Sequence, residues 1–197
     1  MHAPTNYHFQ LLKRLLWYIK GSLNYGLPIS PGNLSLRTYA DADWASDSSD
    51  RKSVSGFCTY LGNTLISWSV KKQTTVAKSS TEAEYRSLSA AASDVLWLRR
   101  FIEELQLPQL SPTIIYCDNT SAIALARNPI FHARTKHIEL DYHFLRQHID
   151  SGAIIITHIC SADQLADIFT KPLAITRFQL LRDKLILPLQ KDQFEGG

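Results

Sequence analysis

No pair of cysteines is spaced C-x-x-C, and the whole sequence holds only three thiols, at Cys58, Cys117 and Cys160. An odd, scattered set indicates neither a zinc knuckle nor a disulfide framework, and buried reduced thiols are the expectation. No apolar run reaches the ~18 residues that a bilayer span requires, so no membrane partner is expected. The layout of a secretory signal is missing too, because Lys13 and Arg14 interrupt the first apolar stretch. Neither G-x-x-x-x-G-K-[ST] nor G-x-G-x-x-G occurs, so a Gly-rich nucleotide cradle has no support. Nor does one sign of charge dominate. Lys and Arg number 21 against 18 Asp and Glu, for a net charge of +3 and a pI near 8.7. That balance is compatible with a nucleic-acid partner but does not argue for one. Hydrophobic residues are plentiful: they make up 45% of the 197, enough to bury a sizeable core. The length fits one domain plus a flanking piece, and an intracellular protein is expected.

The pattern divides the chain at about residue 33. Residues 7–20 read as an amphipathic helix with Phe9, Leu11, Leu12, Leu15, Leu16 and Ile19 on its apolar side, ended by Gly21. Ser22 to Asn33 is rich in Gly and Pro and reads as a linker. Extended runs follow at Leu34–Trp44, Val54–Leu61 and Leu65–Val70, the last two joined by the hairpin signal Gly62-Asn63. Thr81–Leu107 carries a helical stripe at Leu88, Ala91, Val95, Leu98, Ile102 and Leu105. Thr113–Cys117 reads as a strand, Thr120–Arg127 as a helix, Lys136–Ile149 as a helix and Ala153–Cys160 as a buried strand. A last helix opens at Ala162–Phe169, is interrupted by Pro172 and resumes at Arg177–Leu185. Three consecutive antiparallel strands followed by alternating helices and strands predict an α/β fold, a mixed sheet with helices on its faces. Ligand sites in such sheets lie at strand ends.

Four acidic positions stand out by placement. Strand alternation puts Asp41 and Asp43 on one face, with Ala42 and Trp44 on the other. Glu84 lies one helical turn before Leu88 and should point to the sheet, whereas Glu82 should face away and serve the helix start. Asp118 directly follows a strand, where helix capping is the structural explanation. Asp167 lies in the first turns of the last helix, where a charge at the dipole's positive end would account for it. Each acid alone has such an explanation. Brought together, they would form a cluster suited to oxygen-preferring divalent ions such as Mg2+, and a pair of such ions clamps phosphodiester displacement.

Other sites fare less well. From Asp41 onward a calcium loop fails, with Ala45, Ser46 and Lys52 at ligand, Gly and closing-Glu places. An aspartyl-phosphate chemistry on Asp41-Ala42-Asp43 leaves Glu84 unexplained. Four histidines (His132, His137, His143, His148) crowd one region, but no H-E-x-x-H or paired Cys supports zinc, and helix-surface imidazoles are the simpler account. Arg51 and Lys52, and Lys71 and Lys72 with Gln73, flank the hairpin. These cations can hold phosphates, and Gln73 or Asn119 can meet base edges or a 2′-hydroxyl. The tryptophans Trp17, Trp44, Trp68 and Trp97 are expected in the core.

These residues carry a resemblance. Tyr39-Ala40-Asp41-Ala42-Asp43-Trp44, Asp50-Arg51-Lys52-Ser53-Val54-Ser55-Gly56, Ile66-Ser67-Trp68 and Ser79-Ser80-Thr81-Glu82-Ala83-Glu84-Tyr85 occur in order. Cys117-Asp118-Asn119, Asn128-Pro129, Arg134-Thr135-Lys136-His137-Ile138-Glu139 and Gln164-Leu165-Ala166-Asp167-Ile168-Phe169-Thr170-Lys171-Pro172-Leu173 follow. The series, over about residues 38–175, resembles the ribonuclease H domain of copia-type LTR-retrotransposon polyproteins. His8 to Leu27 resembles the end of the reverse transcriptase region that precedes it, with Trp17 where that family usually shows Arg.

The resemblance implies a ribonuclease H-like fold: a five-stranded mixed sheet, three antiparallel strands then two parallel, flanked by helices. It implies endonucleolytic hydrolysis of the RNA strand of RNA–DNA hybrids, with two Mg2+ ions, or Mn2+, held by Asp41, Glu84, Asp118 and Asp167. Asp41 is preferred to Asp43 because the family's first acid directly follows the strand's apolar run. Arg51, Lys71, Lys72, Gln73 and Asn119 are the candidate substrate contacts. Thr120 stands where many members have Gln, and no His occupies the short loop before Asp167, His158 lying earlier on its strand. Expected partners are the hybrid and the reverse transcriptase and integrase portions of the same polyprotein, in a cytoplasmic particle or the nucleus. The expected division is residues 1–33 as the reverse transcriptase remnant and linker, 34–185 as the ribonuclease H domain and 186–197 as a tail. An inactive fragment that only binds nucleic acid is the alternative. A strand-transfer enzyme with three acids fits Glu84 less well.

Overall fold

The computed structural model describes residues 3–128, 138–185 and 187–188. The chain opens with α1 (Asn6–Ser22), capped by a reciprocal pair in which Thr5 Oγ1 accepts from the His8 amide and His8 Nδ1 accepts from the Thr5 amide. The helix runs through Gly21, whose cost in a helix is only about 1 kcal/mol. No residue of α1 is buried. The predicted linker contains a two-residue strand, β1 (Tyr25–Gly26).

Strands β2 (Leu36–Asp43), β3 (Val54–Leu61) and β4 (Thr64–Lys72) form the antiparallel meander. Its tight turn needs Gly62: φ is +59°, and a Cβ there would stand 2.1 Å from the Asn33 carbonyl oxygen. Helix α2 (Ser80–Glu104) follows, with Ser79 Oγ accepting from the Glu82 amide. It ends before Leu105, which is exposed, because Gln106 adopts a left-handed φ of +64° ahead of Pro108. Strand β5 (Thr113–Cys117) and helix α3 (Thr120–Arg127) have their predicted bounds. Then come α4 (Glu139–Asp150), β6 (Ile154–His158), a 3-10 turn at Ser161–Asp163, and α5 (Asp167–Thr170). Helix α6 (Ile175–Leu185) and β7 (Leu187–Pro188) close the described chain. The expected start of α4 at Lys136 lies outside the described residues, as do His132, His137 and all of the tail but 187–188.

The large sheet has the order β4-β3-β2-β5-β6, with β5 parallel to β2 and β6 parallel to β5. This is the predicted five-stranded mixed sheet. Alternation splits its side chains between two layers. Ala40, Phe57, Ile115 and Ile156 pack under Leu88, Val95 and Leu145 on one face. Cys58, Tyr60 and Leu65 meet Leu165, Leu181 and Leu185 on the other. A second, two-stranded sheet pairs β1 with β7, so the predicted linker meets the segment after α6. Arg182 stacks over the Tyr25 ring at 4.2 Å to reinforce it.

Three expectations are corrected. None of the four tryptophans is in the core: Trp17, Trp44, Trp68 and Trp97 are all exposed. The sheet–helix interface is filled instead by Phe57, Tyr85, Leu88 and Ile115, with Ala40, Ala91 and Ala92 between them. Cys160 is exposed, beyond the end of β6, while Cys58 and Cys117 are buried. Glu82 does not face solvent; Arg86 covers it through an ion pair of 2.6 Å, and its Oε2 accepts from the Lys78 amide.

Candidate metal centre

The parallel pairing of β2 with β5 sets Tyr39 beside Tyr116. Two residues further on, Asp41 and Asp118 reach the same end of the sheet. Asp167 is brought there by the loop before α5, which buried Gln164 pins to β2: its Nε2 donates to the Ala40 carbonyl and its Oε1 accepts from the Ala166 amide. Glu84 descends from the first turns of α2 and is buried. Carboxylate oxygens of Asp41, Asp118 and Asp167 all lie within 4.8 Å of one another. A second group within the same limit joins Glu84, the Cys117 Sγ and Asp118. Asp118 is common to both. The structure thus brings together the four predicted acids. Asp43 is half-buried and belongs to neither group, though it lies near enough to feel the charges of Lys171 and Asp167.

Each acid is held. Thr170 Oγ1 donates to Asp41 Oδ2, and Ser87 Oγ donates to the Asp41 carbonyl at 2.7 Å. Lys171 Nζ bridges Asp41 Oδ1 (3.0 Å) and Asp167 Oδ1 (2.7 Å). Arg177 reaches Asp167 Oδ2 at 3.4 Å, and Ser161 Oγ donates to Asp118 Oδ2 at 2.7 Å. The capping role open to Asp118 falls to Asn119, whose Oδ1 accepts from the Ala122 amide. Sequence reasoning missed Ser161, Gln164, Thr170, Lys171 and Arg177 as parts of this centre. Only Lys171 left a signal, a cation four residues after an acid.

The electrostatics follow from burial. Glu84 is pushed up to about 9, first by desolvation and then by the charges of Asp41 and Asp118. Burial also raises Asp41, against the Thr170 hydrogen bond and the Lys171 charge. Burial opposes the Lys171 ammonium, but its bond to Asp167 and the charge of Asp41 hold it above the usual lysine range. Burial, then the charge of Glu84, pushes the Cys117 thiol well above its ordinary value, so it does not offer a thiolate. The donor set is therefore oxygen, with four acids against two cations. Hard divalent ions fit this set.

The candidate substrate contacts sit around the hairpin. Lys71, Lys72 and Gln73 line a cavity with Ser55, Arg86 and Asp141, and none of the four acids lines it. Lys72 Nζ pairs with Asp47 and Asp50 at 2.5 and 3.0 Å. Gln73 is buried, its Nε2 donating to Ser55 Oγ and the Ala83 carbonyl, while its Oε1 finds no partner among the described residues. Arg51 occupies a left-handed turn position, φ +57°. His158 is exposed on β6, opposite Cys117.

No protein-family model matches the chain. It is 49% identical over 186 residues to the retrovirus-related Pol polyprotein from transposon RE1 of Arabidopsis thaliana, across 94% of this chain and 13% of that protein. It is 36% identical over 183 residues to the corresponding polyprotein from transposon TNT 1-94 of Nicotiana tabacum, across 93% of this chain and 14% of that one. The chain therefore spans about one-eighth of the length of these relatives. Among solved structures it superposes on the N-terminal RNase H domain of a Mycobacterium tuberculosis protein with a TM-score of 0.51. Identity there is 13%, covering 77% of this chain and 98% of that one. At that identity the likeness speaks for the fold.

Proposed function

We propose that this chain is a segment of a retrovirus-related Pol polyprotein of transposons, built on a ribonuclease H-like fold, and that it cleaves the RNA strand of RNA–DNA hybrids. The observation that carries the reading is the convergence of Asp41, Asp118 and Asp167 within 4.8 Å, with Glu84 alongside, at the end of neighbouring parallel strands.

In this reading Asp41, Glu84, Asp118 and Asp167 would hold two Mg2+ ions, for which Mn2+ could substitute. Such ions lower the pKa of an attacking water and neutralise the departing 3′-oxygen. The protein's part is to fix the carboxylates beforehand. Thr170 orients Asp41, Ser161 orients Asp118 and Arg177 orients Asp167, so little reorganisation is left for the reacting state. Lys71, Lys72 and Arg51 supply phosphate contacts, which position a duplex without reading sequence. Half-buried Asn119, next to Asp118, meets a 2′-hydroxyl, which separates RNA from DNA, whereas buried Gln73, bound to Ser55 and Ala83, braces the hairpin behind the phosphate contacts. The natural partners are then the hybrid and the reverse transcriptase and integrase portions of the polyprotein. Among the described residues no helix is long and apolar enough to cross a membrane.

Cleavage of an end-labelled hybrid, beside duplex RNA and duplex DNA, tests the reading. Mg2+-dependent cuts in the RNA strand of the hybrid alone are expected. Activity that survives Asp118→Asn or EDTA would sink the assignment, and hybrid binding without cleavage in either metal would favour an inactive binding module.

A further inference from the structure

We propose that Lys171 is the resident counter-cation of the acidic centre, which a divalent ion bridging Asp41 and Asp167 must displace. This rests on the reading that the centre takes divalent cations.

The argument is one of shared oxygens. Lys171 Nζ occupies Oδ1 of both Asp41 and Asp167, at 3.0 and 2.7 Å. The other oxygen of each carboxylate is already engaged, by Thr170 on Asp41 and by Arg177 on Asp167. An incoming ion that bridges the two acids therefore competes with the ammonium at the Oδ1 pair, where two adjacent positive charges repel.

The two basic side chains differ in how freely they can yield. Arg177 is fixed, because its fork also donates to the carbonyls of Ser161 and Ala162 at 2.7 and 2.5 Å. Among the described residues the Lys171 ammonium bonds to Asp41 and Asp167 alone. It is a point charge on a flexible four-carbon stem, and its side chain is 32% exposed, so it has a way out to solvent. Its place four residues after Asp167 keeps it within reach to return. In the metal-free state it offsets the repulsion of two buried acids. In the loaded state it swings aside, at a cost to metal affinity.

The test uses the full chain. Mn2+ binding is measured by isothermal titration, and thermal unfolding is measured in EDTA and in Mn2+, for the wild type, Lys171→Met and Lys171→Arg. The Met variant is expected to bind Mn2+ about tenfold more tightly, or about 1.4 kcal/mol. It should melt lower in EDTA and show a larger metal-induced rise. The Arg variant keeps the charge and should bind no more tightly than the wild type. Unchanged or weaker binding by Lys171→Met overturns the proposal and leaves the centre standing. No binding by the wild type and the Met variant alike overturns both. A second measurement needs no variant: acylation of Lys171 by acetic anhydride, read by peptide mass, should accelerate when Mn2+ is added. A rate that is unchanged or slower overturns the proposal even if Lys171→Met does not fold.

Discussion

Gly56 lies in β3 directly opposite Asp41 of β2, beneath the short helix that carries Asp167 and leads into Lys171. A Cβ at this position would stand 2.7 Å from Thr170 Cγ2 and 2.8 Å from Phe169 Cβ. Ordinary carbon–carbon contact begins near 3.5 Å, so Gly56→Ala forces α5 back by about 0.8 Å. The Phe169 atom is a Cβ, fixed to its backbone, so rotating a side chain does not relieve the clash. Thr170 is held as well, through its hydrogen bond to Asp41. Overpacking of this kind costs about 1–3 kcal/mol. In a chain of this size that lowers Tm by about 2–12 °C. The retreat also lengthens the Thr170–Asp41 and Lys171–Asp41 bonds, and a misplacement near 1 Å at a reacting centre can cost ~10²-fold in rate. Differential scanning calorimetry in EDTA reads the first effect, and hybrid cleavage in Mg2+ reads the second. A variant that melts with the wild type and cleaves at the wild-type rate refutes the claim that this glycine sets the seat of α5.

Stability in EDTA should fall as pH rises from 4.5, the ordinary value for Glu84, to about 9, its value in the fold. Over that window the unfolded chain binds fewer protons than the folded one, so the slope is negative. Glu84→Gln should flatten it, as read by urea unfolding at several pH values, and an unaltered slope contradicts the assignment. Leu88→Ala removes a fully buried side chain between α2 and the sheet. It should cost about 2–5 kcal/mol by chemical denaturation. A thiol reagent should label Cys160 rapidly and leave Cys58 and Cys117 until unfolding, since Cys160 is exposed and burial pushes the Cys58 thiol up to about 12. Early loss of all three thiols would contradict the burial.

Much of this fold was legible because its boundaries are chemically marked. The strand at Val54–Leu61 ends at Gly62-Asn63, and the helix at Thr120–Arg127 lies between a capping Asn119 and Asn128-Pro129. The four acids were legible because each sits at a strand end or a helix start, and such places converge in a mixed sheet. Their supports were not. Thr170 and Lys171 lie 129 and 130 residues from Asp41 in sequence, and nothing local announces that they meet it. The tryptophans misled for a related reason. Their bulk argues for burial, but the interface is closed by other side chains, Tyr85 and Leu88 among them, a matter of packing partners and not of hydrophobicity. Nor could periodicity reveal that α1 is amphipathic in sequence yet has no buried residue.

Asp118 is common to both clusters that could hold an ion, the one with Asp41 and Asp167 and the one with Glu84 and Cys117. Two binding events that draw on one carboxylate are thermodynamically linked. Whatever occupancy of the first position does to the affinity of the second, occupancy of the second does to the first by the same factor. In the proposed two-ion reading, any coupling between the ions therefore runs through a single side chain. A titration fitted to independent sites would report an average that belongs to neither, and Asp118→Asn would remove both the affinity and the coupling at one stroke.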